Sequence, residues 1–282
     1  MNSLSILILT HDNAPTLPDT LRSVAFADEV VVVDSGSTDG SQEIARAAGA
    51  SVLQRPLTNF ADQRNAGWEA ARGPWVLALD SDEVLDAEAR EAVRRVIEWE
   101  PAPGEPVAYA LCPIPYFLGR PILHGGVRET FMLRLAWRKR SRWAGRIHER
   151  LVVDGPTARL PGRIEHYSAP TLAVLLDKIR RNALGRAEEW RSQGARPSVR
   201  ALVWRPLRFF LGRWIVRGGF RDGMYGLVWW WLIATELLLA HFLHLLPEDV
   251  FAREKPSPGS EGARPGPHLQ ADASRSTLAE TR

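Results

Sequence analysis

Two aspartates, Asp80 and Asp82, flank Ser81 directly after the apolar run Trp75-Val-Leu-Ala-Leu79. In an extended chain, residues two apart point the same way, so both carboxylates can face one ion. A few hard oxygen ligands suit Mg²⁺ or Mn²⁺, which complete their shells with water and substrate phosphates. A solvated turn with Glu83 capping a following helix would use the same residues; the apolar strand in front favours the ion. A second acid, Asp34, closes the run Val30-Val-Val-Val33 and opens the turn Ser35-Gly-Ser-Thr-Asp39-Gly40. Helix capping by Thr38 or Asp39 accounts for the turn. It does not account for a carboxylate ending an otherwise apolar strand, where Asp34 could accept hydrogen bonds from a base or ribose. The glycine spacing of a dinucleotide fingerprint is absent. A third polar cluster, Thr10-His11-Asp12, follows the apolar residues 4–9.

The elements that must position these clusters alternate. Residues 4–10 read as a strand buried on both faces, because apolar residues run nearly without a break. Strands are also predicted over residues 29–34, 51–54 and 75–79, the last running into Asp80, and helices over 16–26, 41–48, 60–71 and 88–99. Strands separated by helices imply parallel pairing with right-handed crossovers. Ligands of such sheets bind at the carboxyl ends of the strands, where all three clusters sit. Residues 101–168 become shorter strands with Pro and Gly turns, and the chain reads as helical after Pro170. Residues 256–282 are rich in Pro, Gly, Ser and charge, which is the composition of a disordered tail.

The chain has 282 residues, 45% hydrophobic and 24% charged, so a large core needs no disulfide staple. Cys112 is the single cysteine, which excludes an intrachain disulfide and fits a reducing cytosol. Net charge is +3, but residues 171–222 hold twelve Lys or Arg against four acids, leaving −5 on the rest. A basic block suggests an anionic surface as partner. The apolar segment beside it favours a membrane over nucleic acid. Residues 198–221 carry an apolar stripe (Trp204, Leu207, Leu211, Trp214, Ile215) with Arg205, Arg213 and Arg217 broadly opposite, the pattern of an interfacial anchor. Residues 225–246 are long enough to span a bilayer, but Glu236, His241 and His244 favour monotopic association. The N-terminus shows no charged region or long apolar run of a signal peptide, so the body is expected in the cytoplasm.

Four segments together resemble family 2 glycosyltransferases of GT-A fold: residues 4–10, Val30-Val-Val-Val-Asp34-Ser-Gly-Ser-Thr-Asp39-Gly-Ser, Asp62-Gln-Arg64-Asn65-Ala-Gly67 and Leu79-Asp80-Ser-Asp82-Glu83. Three later segments are similar to the lipopolysaccharide core branch of the WaaE/KdtX type: Trp143-Ala-Gly-Arg-Ile-His148-Glu149, Ile164-Glu-His166-Tyr-Ser and Gly219-Phe-Arg-Asp-Gly223. The resemblance implies an α/β fold with a Rossmann-like mixed sheet and a C-terminal helical extension. It divides the chain into a catalytic domain (1–170), a basic amphipathic membrane-associating extension (171–250) and a disordered tail (251–282). It implies that Thr10, Asp12, Asp34, Arg64, Asn65 and Asp80 line the nucleotide-sugar pocket. Asp82, with Asp80 and His166, would hold Mg²⁺ or Mn²⁺. Glu149 is the candidate base of an inverting transfer, with His148 as its substitute or orienter.

The implied function is transfer of a hexose, such as glucose, from a nucleotide-diphosphate sugar to a lipid-linked saccharide of lipopolysaccharide inner core. The implied place is the cytoplasmic face of the inner membrane, with no nucleic-acid partner. Transfer to polyprenyl phosphate and non-catalytic nucleotide-sugar binding stand as alternatives.

Overall fold

The computed structural model describes residues 3–145 and 149–254. The first half builds a parallel sheet from β1 (Leu4–Thr10), β2 (Glu29–Asp34), β3 (Ser51–Gln54) and β4 (Trp75–Asp80), in the order β3-β2-β1-β4. Every residue of β1 and β4 is buried. Their aliphatic side chains pack on both faces, each contributing about 1.5–3 kcal/mol by leaving water. One face meets α1 (Leu17–Ser23), α2 (Ser41–Ala47) and α4 (Ala87–Ile97); the other meets α3 (Phe60–Ala70). Asn59 and Asp86 cap α3 and α4 by accepting from the amides of Asp62 and Ala89.

The sheet then becomes mixed. β5 (Glu83–Leu85), β6 (Ala108–Phe117), β8 (Met132–Trp137) and β11 (Thr157–Ala169) continue it as β4-β8-β6-β11-β5, while β7 (Arg120–Pro121) pairs only with β6. β8 is antiparallel to β4 and to β6; β11 is parallel to β6 and antiparallel to β5. A separate hairpin joins β9 (Ser141–Ala144) to β10 (Arg150–Val153). Two registers matter for chemistry. Thr10 pairs Asp34 and Leu9 pairs Asp80, which brings the strand-end acids to one rim. His166 pairs Glu83, which carries the chain just past Asp82 against β11.

The C-terminal part holds α5 (Leu172–Ser192), α6 (Val199–Leu211), α7 (Gly223–Leu245) and α8 (Glu248–Glu254). It does not stand apart from the sheet. Leu175, Ile179, Trp229 and Trp230 share one buried cluster with Cys112, Ile114 and Phe117 of β6. Two expectations change here. The helix expected over residues 198–221 ends early: α6 passes into a π turn (Gly212–Val216), and Gly218, at φ +69°, reverses the chain into a short 3-10 turn. Residues 251–254 also belong to the folded helices, with Phe251 buried against Ala183, Ala187 and Ala240. Most of the expected disordered tail, residues 255–282, lies outside the described residues.

Gly125 and Gly219 allow this docking. A Cβ on either would come within 3 Å of the Trp230 ring, and Gly125 also has φ +78°. Asp222 completes the joint by accepting from the amides of Leu123 and His124 at 3.1 and 2.9 Å.

Glu236 faces inward. It accepts from Asn182 at 3.0 Å and pairs with Arg186 at 3.3 Å, both on α5. The charge that seemed costly for a bilayer is therefore an interhelical contact. His241 and His244 are buried too, His241 stacked on Trp190. The opposite face of α7 exposes Met224, Leu227, Val228, Trp231, Leu238 and Phe242. Arg213 and Arg217 face the body, donating to Gly125 O at 2.9 Å and pairing with Glu129 at 3.5 Å.

Candidate functional site

The rim centres on Arg64, whose guanidinium is buried. Its Nη2 donates to Asp80 Oδ1 at 2.8 Å, its Nε lies 3.5 Å from Glu149 Oε1, and its plane covers the Trp143 ring at 4.6 Å. One guanidinium thus bridges the end of β4 to the loop before β10. Burial tends to lower the Arg64 pKa, but Asp80, Glu149 and Glu83 outweigh it and raise it. Asn65, next on α3, clamps the backbone of Trp143 with two hydrogen bonds of 2.9 Å. It holds the pocket wall and spends its amide there.

Asp82 sits beyond this bridge, its side chain 23% accessible. Its Oδ2 lies 3.5 Å from His166 Nε2, and its carbonyl accepts from the amide of Tyr167 at 2.8 Å. Burial pushes the Asp82 carboxyl up, but the facing imidazole outweighs it and holds the group below its ordinary value. Burial lowers His166, and Asp82 and Glu83 outweigh that in turn. His166 Nε2 is buried and completes no hydrogen bond among the described residues. A carboxylate oxygen and an orphaned imidazole nitrogen at this spacing fit two corners of one divalent shell. Asp80, held by Arg64, fits a contact to that shell through water or phosphate.

Thr10, Asp12 and Asp34 line the other side. Asp34 is wholly buried, and its carboxylate accepts from the amides of Gly36 and Ser37 at 2.9 Å, from Gln42 Nε2 at 2.8 Å and from the Ser37 hydroxyl. With these bonds the carboxylate shapes the turn that follows β2. Asp12, in a left-handed conformation at φ +47°, accepts from Thr38 N at 2.8 Å and so ties the β1 loop to the β2 loop. Asp39 lies one residue before the α2 N-cap, Gly40, and accepts from Ser41 N at 3.0 Å, which satisfies the first amide of that helix. Thr10 Oγ1 and both ring nitrogens of His11 are buried with no hydrogen-bond partner among the described residues. Buried polar atoms without partners mark room for a polar ligand.

Three residues of this region were given no site role from the sequence; Glu83, read there only as a helix cap, lies in β5, and Asp86 caps α4 instead. Glu83 is fully buried, pairs with Arg134 at 2.6 Å and accepts from Asp80 N at 2.9 Å. Burial raises its pKa despite Arg134. The signal was an arginine inside the apolar strand Met132-Leu-Arg-Leu-Ala-Trp137, which needs a buried acid. Lys178 of α5 is the third, and no motif marked it. His148 lies outside the described residues.

Residues 5–118 match the family described as Glycosyl transferase family 2. The chain is 27% identical to the lipopolysaccharide core biosynthesis glycosyltransferase LpsC of Rhizobium meliloti, covering 86% of this chain and 95% of that one. It is 26% identical to an uncharacterized glycosyltransferase of Rickettsia typhi, covering 81% and 82%. Among solved structures, it superposes on the mannosyltransferase PcManGT from Pyrobaculum calidifontis, solved with GDP-Man and Mn²⁺. That match has 16% identity, covers 88% of both chains and has a TM-score of 0.50, a likeness of fold.

Proposed function

We propose that this chain, a glycosyltransferase of GT-A fold whose residues 5–118 match glycosyltransferase family 2, moves a hexose from a nucleotide-diphosphate sugar to a lipid-linked saccharide. The observation that carries this reading is that Arg64 joins Asp80 to Glu149 at the carboxyl end of β4, while Asp82, two residues on, faces His166. A metal-dependent, inverting transfer needs an anchored diphosphate and a base near the anomeric carbon. The strand-end rim offers both kinds of group.

A divalent ion bound by Asp82 and His166 would supply charge neutralisation for the departing diphosphate. The solved mannosyltransferase and its Mn²⁺ support that reading. Thr10 Oγ1 and His11 Nδ1 offer buried polar atoms without a hydrogen bond among the described residues to the nucleoside, while His11 Nε2 lies 3.6 Å from Asp12. Glu149 takes the proton of the acceptor hydroxyl as its oxygen bonds to the anomeric carbon. The bond from that carbon to the diphosphate breaks, and its electron pair leaves with the nucleotide. A positioned base of this kind contributes about 10²–10⁴-fold. Arg64 keeps Glu149 oriented and binds Asp80 at the same time.

The exposed apolar faces of α6 and α7 support peripheral or monotopic association with the cytoplasmic face of the inner membrane. The similarity to LpsC supports an acceptor in lipopolysaccharide core.

A thermal-shift screen with UDP, GDP, ADP and dTDP sugars, each with and without Mn²⁺, identifies the donor. Transfer of its radiolabelled sugar into lipid fractions then identifies the acceptor. Stabilisation by one nucleotide sugar and label in lipopolysaccharide are expected. Label in polyprenol lipid alone would overturn the saccharide acceptor, and no stabilisation by any donor would overturn the donor site.

A further inference from the structure

A cavity of about 130 Å³ is lined in part by His166, the residue facing Asp82. Glu83, Arg134 and His166 stand at its sheet end. Its other walls come from the helices: Leu175, Lys178, Ile179, Asn182 and Arg186 of α5, Phe209 of α6, and Trp229, Ile233, Glu236 and Leu237 of α7. The volume matches about four waters, room for a small headgroup and the start of a chain. A mostly apolar wall with a few convergent polar groups is the usual form of a ligand site.

The charges do not cancel. Glu83 is paired with Arg134, and Glu236 with Arg186 and Asn182. Lys178 makes no hydrogen bond or ion pair among the described residues. Its nearest acids, Asp82, Asp80 and Glu236, act at longer range, and burial outweighs them to pull the ammonium below the ordinary lysine value. Arg134 Nε and Asn182 Oδ1 are buried and also lack partners. With His166 neutral, the lining sets Arg134, Lys178 and Arg186 against Glu83 and Glu236, a surplus of one positive charge that Asp82 and Asp80 act on from outside the lining. The surrounding side chains are apolar: Phe131, Leu175, Ile179, Phe209, Trp229 and Ile233. An anion joined to an apolar stem complements both features.

The helices supply the direction of approach. α6 and α7 turn Phe209, Trp229 and Ile233 into the cavity and expose Leu207, Leu227, Val228 and Trp231 on the outside. The cavity therefore lies about one helix diameter, roughly 10 Å, beneath the apolar surface.

We propose that this cavity is the acceptor subsite and that Lys178 holds there an anionic group carried by an amphiphilic acceptor. The proposal rests on the glycosyltransferase reading and deepens it, naming the acceptor's chemistry and a residue that reads it. The anion is either the phosphate of a prenyl-type lipid or the carboxylate of an acidic saccharide.

The test uses three soluble probes that share one alkyl chain: hexyl phosphate, hexyl glucuronide and neutral hexyl glucoside. Calorimetric titration into the full chain is expected to show one anionic probe binding at least about tenfold tighter than the glucoside. Preference for hexyl phosphate assigns a prenyl-type phosphate; preference for hexyl glucuronide assigns an acidic saccharide. Lys178→Gln is expected to remove the preference and Lys178→Arg to keep it. The donor found by the thermal-shift screen is expected to bind both variants as it binds the parent. In the transfer assay, Lys178→Gln is expected to raise the acceptor KM more than it lowers kcat. Equal affinity for the three probes overturns the proposal. A preference that survives Lys178→Gln overturns the role of Lys178. Weakened donor binding with intact probe preference moves Lys178 to the donor diphosphate and overturns it as well. A donor screen without a hit is a separate result, which strikes the donor site and leaves the probe titration to judge the cavity.

Discussion

Arg64 Nη2 donates to Asp80 Oδ1 at 2.8 Å, and both side chains are buried. This pair divides the acids of the rim into two kinds. Asp80 is neutralised by protein, whereas Asp82, two residues on, has an imidazole at 3.5 Å as its ion-pair contact among the described residues, feels Lys178 at longer range and is partly open to solvent. Breaking a buried pair from one side leaves a charge without compensation, at a cost of about 3–5 kcal/mol. Arg64→Met is expected to lose about that much stability in urea unfolding. Arg64→Lys, which cannot bridge Asp80 and Glu149 at once, should fall between it and the parent. Parental stability in Arg64→Met would show that the bridge contributes nothing.

Asp82→Asn tests the metal position. Donor affinity measured by calorimetry is expected to lose its dependence on Mn²⁺ while the fold is kept, because Asp82 is partly accessible and makes no tight ion pair. His166→Ala should weaken that dependence and leave some of it. Undiminished Mn²⁺ dependence in Asp82→Asn would remove the residue from the site.

Glu149→Gln keeps size and hydrogen-bonding capacity but cannot accept a proton. Donor binding should persist, and turnover should fall by about 10²–10⁴-fold. Near-parental turnover would shift the base elsewhere in the rim.

Membrane association is expected to follow the outer face of α7. Trp231, 58% exposed, and Phe242, 47% exposed, lie on it. Burying the exposed part of each in an interface contributes about half of the 1.5–3 kcal/mol of a full burial, on the order of 1 kcal/mol. Trp231→Glu combined with Phe242→Glu should release the protein from phosphatidylglycerol vesicles in flotation, with little change in thermal stability. Continued flotation would point to a different contact face.

His241 predicts an acid limit. Burial first, then the charges of Arg205, His244 and Arg186, pull its pKa from 6.5 to about 4. Between those values the unfolded chain binds the proton and the folded chain does not. The contribution of His241 is therefore complete above pH 6.5 and is lost as pH falls towards 4. Thermal melts across that range should show falling stability, and His241→Phe should flatten the fall. An unchanged slope in the variant would assign the limit to other groups.

Much of the rim could be read in the chain itself. The strands ending at Thr10, Asp34 and Asp80 lie where expected, because short apolar runs of strand length bounded by polar turn residues are too short for a buried helix. Their parallel order then sets the three polar ends side by side. The helices were less legible. Residues 198–221 carry a helical stripe, yet Gly212 and Gly218 let the backbone leave the helix. Arg213 and Arg217 have the charge of a lipid-facing row, but they dock on Gly125 and Glu129.

What the sequence determined by itself is local: which segments are strands, which acids end them, and that the C-terminal third is basic and apolar. What only the tertiary structure decided is pairing at long range. Arg64 meets Glu149 across 85 residues, and Arg134 meets Glu83 across 51. The antiparallel register of Glu83 with His166 sets that histidine beside Asp82. Glu236 finds Asn182 and Arg186 only once α7 lies on α5. Side-chain period reports which face of an element is buried, but a buried charge takes its partner from whichever element packs there.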